Sequence, residues 1–351
     1  RSVIDLIVMS VSGRRPFRSI VGNATRRIIR NAPCPTLTVR PNRPAIRLRK
    51  RFQEIFGTIR PHELSRSQDR SSAQDVIYAL NAATERRHSE LFLKRYSRHG
   101  LQTLFESYGL FPILRGKGFR NPDVKLDLND PFRQRLRILF DDREDPDHLI
   151  LEVVLHESVL TVPARLHANS PHRYYTTLMV EWLYMQNPLA SFSPERPPLP
   201  GQIHPGLRMS HEVLELLILA AQRLEKDAVL IRPAYFHNAT LYHRLFCCLD
   251  PLGEGRLIAL IRDTANDHAA DVSWAIHLGC LKDVRTGMYF VWNPEPQVFG
   301  LTQALKDHFG SDAYHKAAWE EVSRHRYAVD WELFRVRYPQ RDTADLNPVN
   351  P

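Results

Sequence analysis

Residues 4–41, "IDLIVMSVSGRRPFRSIVGNATRRIIRNAPCPTLTVRP", restrict the possible folds more than any other stretch of this chain. Ile4 to Met9 make an apolar run suited to a buried parallel strand. Pro16 stands near the first position of a helix over about 16–31, where its missing N–H is no loss. Phe17, Ile20, Val21, Ala24 and Ile28 share one face of that helix, and Arg26, Arg27 and Arg30 suit its negative C-terminal end. Pro33 stops it, and Thr36 to Val39 reads as a short strand. Strand, helix and strand in that order make a right-handed crossover between parallel strands. Two strands do not stand alone. The unit therefore needs sheet neighbours, either upstream of Arg1 or in the rest of the chain. Lacking an initiating Met, it is expected to be the end of a domain whose beginning lies upstream.

The chain has 351 residues, which favours two domains. Its 43% hydrophobic and 25% charged content is that of a soluble globular protein. Cys34, Cys247, Cys248 and Cys280 show no CxxC spacing, so a reducing cytoplasm is expected. No apolar run reaches the ~18 residues of a membrane helix. A net charge of +9 favours polyanions such as nucleotides, coenzyme A or nucleic acid. The dense run from Arg40 to Arg51 carries no nucleic-acid-binding pattern and reads as a solvated linker. The histidines form no HExxH or Cys/His ligand set, and no metal is expected. No G-x-S-x-G elbow or P-loop pattern is present.

Along the chain, residues 42–72 read as a basic, proline-containing linker with a helix near 45–56. Helices are expected near 75–96 and 100–108, and strands at 134–140, 149–155 and 158–162. The acidic "DDREDPD", 141–147, reads as a hairpin turn. "YYTTLMVEWLYMQ", 174–186, is a long strand rich in β-formers. A proline-dense loop follows it, then a helix over 210–225 with Ser210 as N-cap, a strand over 228–236 and a short helix over 238–246. "VSWAIHLGCL" and "GMYFVWNP" read as two strands joined by "KDVRTG", and a polar tail occupies 336–351. The sum is a mixed α/β or α+β domain over about 73–335, preceded by the partial βαβ unit of 1–41.

The pairing of "DLIVM" with "APCPTLTVR" resembles the C-terminal end of a universal stress protein domain, a Rossmann-like α/β fold. In nucleotide-binding members a loop patterned G-x-x-G, then G-[ST], cradles phosphates at a helix N-terminus. Here Ser10 replaces the first glycine, Gly13 keeps the second, Gly22 falls one residue early, and Asn23 stands at the hydroxyl position. The resemblance implies stress response and ATP at Gly13, Gly22 and Asn23, and the three departures weigh against that ligand.

Residues 174–246 resemble the GNAT acyltransferase superfamily in the order strand, loop, helix, strand, short helix. In that fold the loop N–H groups hold the coenzyme A pyrophosphate. The resemblance implies acyl-CoA bound at Gly206, Leu207, Arg208, Met209 and Ser210, with Asn238 beside it. It implies Tyr242 as a general acid for the leaving thiolate, and Glu181 or His204 as the base that deprotonates an amine acceptor. A structure should then show a splayed strand pair and a pyrophosphate-sized loop between 201 and 210. The expected activity is acyl-CoA-dependent N-acyl transfer to a small-molecule or protein amine, without nucleic acid or membrane, and an oligomer is compatible with it. The competing reading is a non-catalytic nucleotide-sensing or protein-interaction module.

Overall fold

The computed structural model describes residues 7–10, 36–39, 43–65, 91–162 and 174–339. The expected helix over 16–31 and Gly13, Gly22 and Asn23 lie outside them, as does most of the helix expected over 75–96. The chain divides into two compact units, Arg1–Thr58 and Ile59–Pro351. In the first, β1 (Ile7–Ser10) pairs in parallel with β2 (Thr36–Val39), Ile7 opposite Thr36. Parallel pairing is what a helical crossover requires. Helix α1 (Arg43–Thr58) follows where a helix near 45–56 was expected, with Lys50 and Glu54 one turn apart on its exposed side.

The second unit is a mixed α/β fold around a seven-stranded sheet of order β3-β4-β5-β6-β7-β10-β8. Short helix α2 (Pro61–Ser65) and helices α3 (Arg98–Ser107) and α4 (Leu110–Gly116) precede the sheet. Strands β3 (Asp123–Asp127), β4 (Gln134–Leu139), β5 (Leu149–Thr161) and β6 (Tyr174–Met185) run antiparallel, each to the next. The acidic run does form the β4–β5 turn, where Asp145 accepts the His148 N–H at 3.1 Å. The two strands expected over 149–162 are one, because β5 pairs with β6 without a break from Leu151 to Thr161 through a bulge.

Helix α5 (Ser210–Arg223) then crosses to β7 (Ala228–Ile231), which pairs in parallel with β6. All four residues of β7 are buried, as befits a strand with both faces covered. The strand is shorter than the expected 228–236, because the chain turns at Pro233 into α6 (Phe236–Tyr242). Strand β8 (Cys247–Cys248) lies at the far edge, against β10 (Gln297–Gly300).

Between β8 and β10 the chain adds α7 (Pro251–Asp263), α8 (Ala269–His277) and β9 (Leu281–Asp283). After β10 come α9 (Gln303–Phe309), α10 (Asp312–Arg324), β11 (Tyr327–Val329) and α11 (Trp331–Arg337). The strand expected over 272–281 is thus mostly helix α8. Its alternation of Val272, Trp274 and Ile276 mimics a strand, but Ala270, Val272, Ser273, Ala275 and Ile276 are buried as a helix buries them. The stop signal is Gly279 at φ +66, with Cys280 N–H on Ala275 O at 2.7 Å and Gly279 N–H on Ile276 O at 3.1 Å. That is a Schellman cap, and it requires the left-handed residue that glycine supplies. "GMYFVWNP" is mostly irregular and meets β9 through a bridge from Tyr289 to Lys282 and a turn in which Gly287 N–H donates to Asp283 O at 2.8 Å.

Candidate functional site

Strands β6 and β7 pair only from Thr177 to Val180 and Ala228 to Ile231. Beyond that β6 runs on to Met185, while β7 ends and the chain turns away toward α6. The pair is splayed at its C-terminal end, the region where open α/β sheets place ligands. At the point of divergence β6 carries an extra residue: Val154 faces Trp182 and Leu155 faces Val180, so Glu181 has no opposite number on β5. Bulges of this kind re-aim backbone and side chains beside functional sites.

The space between the strands is a cavity of about 600 Å³. One wall is β6 from Val180 to Met185, and the other is the chain from Ile231 to Tyr242. The proline-dense loop closes it. Within that loop Asn187 N–H reaches Pro205 O at 2.7 Å, and Trp274 of α8 donates to Pro198 O at 2.9 Å. Gly201 adopts φ +78, and a Cβ there would stand 2.7 Å from the ring of Tyr235. Only glycine fits that approach. Tyr235 in turn stacks on His237 at 5.5 Å.

Loop residues Gly206 to Ser210 all line the cavity and lead into α5. Leu207 and Met209 are buried anchors, and Arg208 has φ +58. Met209 caps the helix without a side-chain hydrogen bond. The first helical bond is Val213 N–H to Met209 O, which leaves the preceding N–H groups open among the described residues. An α-helix of this length offers partial positive charge there, a natural seat for an anion.

Four arginines line the same cavity: Arg196, Arg208, Arg232 and Arg244. None has a carboxylate partner among the described residues. The Arg196 guanidinium donates to Gly206 O instead. Burial, then the neighbouring Arg208, pulls its pKa below the usual arginine range. Glu181 is the sole carboxylate in the described lining, and it is held by Arg133, whose Nε donates at 2.7 Å. His156 Nδ1 approaches the same carboxylate at 3.4 Å without hydrogen-bond geometry. Burial, then Arg133, lowers its pKa and favours the neutral ring.

The structure brings the remaining residues expected from sequence into this one cavity. Tyr242, at the end of α6, is buried with its pKa pushed up to about 12 by desolvation. Asn238 lies on the same helix, and His204 lies in the loop, its Nε2 4.0 Å from Asp147. Sequence reasoning missed Arg196, Arg232 and Arg244, and Ser273 of α8, whose buried Oγ lacks a partner among the described residues. His237 Nδ1 is likewise unpartnered, and burial, then His277, lowers its pKa to about 4. Glu181 and Trp182 also line a second cavity of about 470 Å³, which includes Asp127, Asp130 and Glu152. Among the described residues, no three His, Cys, Asp or Glu side chains converge as a metal site, and no helix is long and apolar enough to cross a membrane.

Residues 2–40 match the universal stress protein family. No curated protein matches the chain. A solved structure of AtaT complexed with acetyl-methionyl-tRNAfMet is similar at 13% identity, over 45% of this chain and 80% of that one, with a TM-score of 0.22.

Proposed function

We propose that the unit from Ile59 onward is an acyl-CoA-dependent N-acyltransferase. The observation that carries this reading is the cavity between the diverging β6 and β7, with open N–H groups at the start of α5 and four arginines lacking acidic partners. Coenzyme A presents a pyrophosphate and a ribose phosphate, and such a concentration of unneutralised donors fits those charges. Bound acyl-CoA would supply a thioester carbonyl activated toward amines. Arg208 and the α5 N-terminus hold the pyrophosphate in this reading, and Arg232 and Arg244 add charge from the opposite wall.

Tyr242 keeps its proton at neutral pH, since its pKa stands at about 12. An ordinary thiol titrates near ~8.5, so full proton transfer from Tyr242 to a thiolate runs uphill by about 5 kcal/mol. Tyr242 therefore acts as a hydrogen-bond donor to the sulfur as charge develops on it, more than as a complete proton donor. Glu181 lies in the lining of both cavities. In this reading the acyl donor occupies the cationic cavity and the amine approaches through the one bearing Asp127, Asp130 and Glu152. Glu181, held by Arg133, and His204 are the two candidates for proton acceptor in this reading.

The test is thermal unfolding of the chain with acetyl-CoA. At a hundredfold excess over Kd the folded state gains about 2.7 kcal/mol. A folded protein that shows no shift with acetyl-CoA or coenzyme A sinks the reading.

The match of residues 2–40 to the universal stress protein family favours a second reading for the first unit, a stress-associated nucleotide-sensing or interaction module. Protection by ATP without protection by acetyl-CoA would select it.

A further inference from the structure

The positive charge of this chain is concentrated at one end. Residues 1–58, the first compact unit, hold thirteen Arg and Lys against only Asp5 and Glu54, an excess of eleven positive charges. The net charge of the whole chain is +9, so residues 59–351 are slightly negative. An asymmetry of this kind points to a polyanionic partner for the basic part. The dense basic run over 40–51, read from sequence as a solvated linker, continues into helix α1.

Helix α1 sorts its residues by side. Phe52 is 2% exposed, and Leu48, Ile55 and Phe56 are half-buried, so the apolar stripe is already covered. Arg47, Lys50 and Arg51 are exposed and stand at i, i+3 and i+4, on one face, with the Lys50 side chain 81% exposed. Glu54 is the only acidic residue of the helix and lies 3.9 Å from Lys50. An exposed pair at that distance contributes little and leaves the ammonium open to a stronger anion.

The covered stripe narrows the choice of polyanion. A helix that lies on a membrane needs a free apolar side to bury there. Single-stranded nucleic acid is gripped by exposed aromatic rings. In α1 the aromatic and aliphatic side chains are turned inward, and the offered face is cationic. Twelve of the thirteen cations in residues 1–58 are arginines, whose guanidinium forks match phosphate oxygens. A duplex presents a phosphate charge every ~1.7 Å of its axis, so three side chains spread over a helical rise of ~6 Å all find one.

We propose that the exposed face of α1 binds the phosphodiester backbone of double-helical nucleic acid without regard to sequence. Cations on such a face fix a protein on the backbone and read no bases. The site depends on neither functional reading given above.

Fluorescence anisotropy of the full chain with a DNA duplex and an RNA duplex tests it. At least one of them binds, and a second duplex of the same type but unrelated sequence binds equally well. Three phosphate contacts weaken binding roughly fortyfold between about 50 and 200 mM salt, a log–log slope of about −2.7. The triple variant Arg47→Gln, Lys50→Gln, Arg51→Gln keeps good helix formers and leaves urea unfolding unchanged. It binds about tenfold more weakly at low salt and takes about 2.7 off the slope. If it is destabilised, Arg47→Gln and Lys50→Gln singly, each taking about 0.9 off the slope, decide the matter. The proposal is overturned if neither duplex binds, if binding ignores salt, or if the triple variant keeps the wild-type affinity or slope. It is equally overturned if single-stranded DNA, or vesicles of phosphatidylserine and phosphatidylcholine, bind more tightly than the duplexes.

Discussion

Two sets of arginines in one unit behave in opposite ways. In the helical region after β8, Arg256 is held by Glu295 and Glu321, and Arg262 by Asp263 at 2.7 Å and by the carbonyls of Val322 and His325. Around the splayed strands, Arg208, Arg232 and Arg244 are exposed along the cavity with no carboxylate partner among the described residues, Glu181 being held by Arg133. The first set is spent on holding α7 against α10. The second has its charge available for a ligand. Partnership, not residue type, separates a structural arginine from a binding one, and that difference can be measured.

The largest effect should come from the satisfied network. Glu321 is buried and joins Arg256, Arg324 and His325. Glu321→Ala removes the buried carboxylate that Arg256, Arg324 and His325 share and should cost about 3 kcal/mol in urea unfolding, through the loss of several charge-assisted hydrogen bonds. A loss below 1 kcal/mol would mean that the network is decorative.

Acid should reveal a difference of similar size. His237, with a folded pKa of about 4 against 6.5 unfolded, contributes stability that is complete above pH 6.5. It is lost as pH falls toward 4, up to about 3 kcal/mol. Burial raises the carboxyls of Asp283 and Glu321, but hydrogen bonds from His325, with those from the Arg285 and Arg326 backbone to Asp283 and from Arg324 to Glu321 and the nearby positive charges, together more than reverse this, so both also lose stabilisation in acid. Unfolding free energies of His237→Phe should therefore vary less between pH 6.5 and 4 than those of the wild type. Equal slopes would remove His237 from the account.

The unpaired set should show the inverse pattern. Arg232→Ala and Arg208→Ala should leave stability within about 0.5 kcal/mol. Each should weaken acetyl-CoA by about 1.5–3 kcal/mol, read by titration. If instead they unfold the protein, the distinction drawn above fails. Smallest is Tyr242→Phe, expected to slow acyl transfer about tenfold while leaving acetyl-CoA affinity unchanged. A fall in affinity alone would make Tyr242 a packing residue.

Much of the central layout was legible in the sequence. β-formers from Tyr174 to Met185 and the apolar stripe of Val213, Leu216, Leu217, Ala220 and Leu224 announced β6 and α5 through local periodicity, although of that stripe only Val213 and Leu217 are fully buried. The convergence of Arg196, Arg232 and Arg244 was not legible, because they come from a loop, a turn and the residues after α6, which only tertiary folding brings together. The proline-dense stretch read as a mere connection, yet Gly201 and Pro198 dock it on Tyr235 and Trp274. Helix α8 was misread because its alternating large residues fit a period of two, and Gly279 was the signal passed over. Glu181 was placed on its strand, but the bulge that singles it out depends on the count of residues in β5.

Strand β6 has twelve residues and β7 has four. Exchanging one side chain for another along either strand reshapes the walls of the notch but cannot close it, since closure needs more backbone in β7. The opening is thus a matter of arithmetic before it is a matter of chemistry. Drift in the lining can change what is bound there, while the place for binding persists.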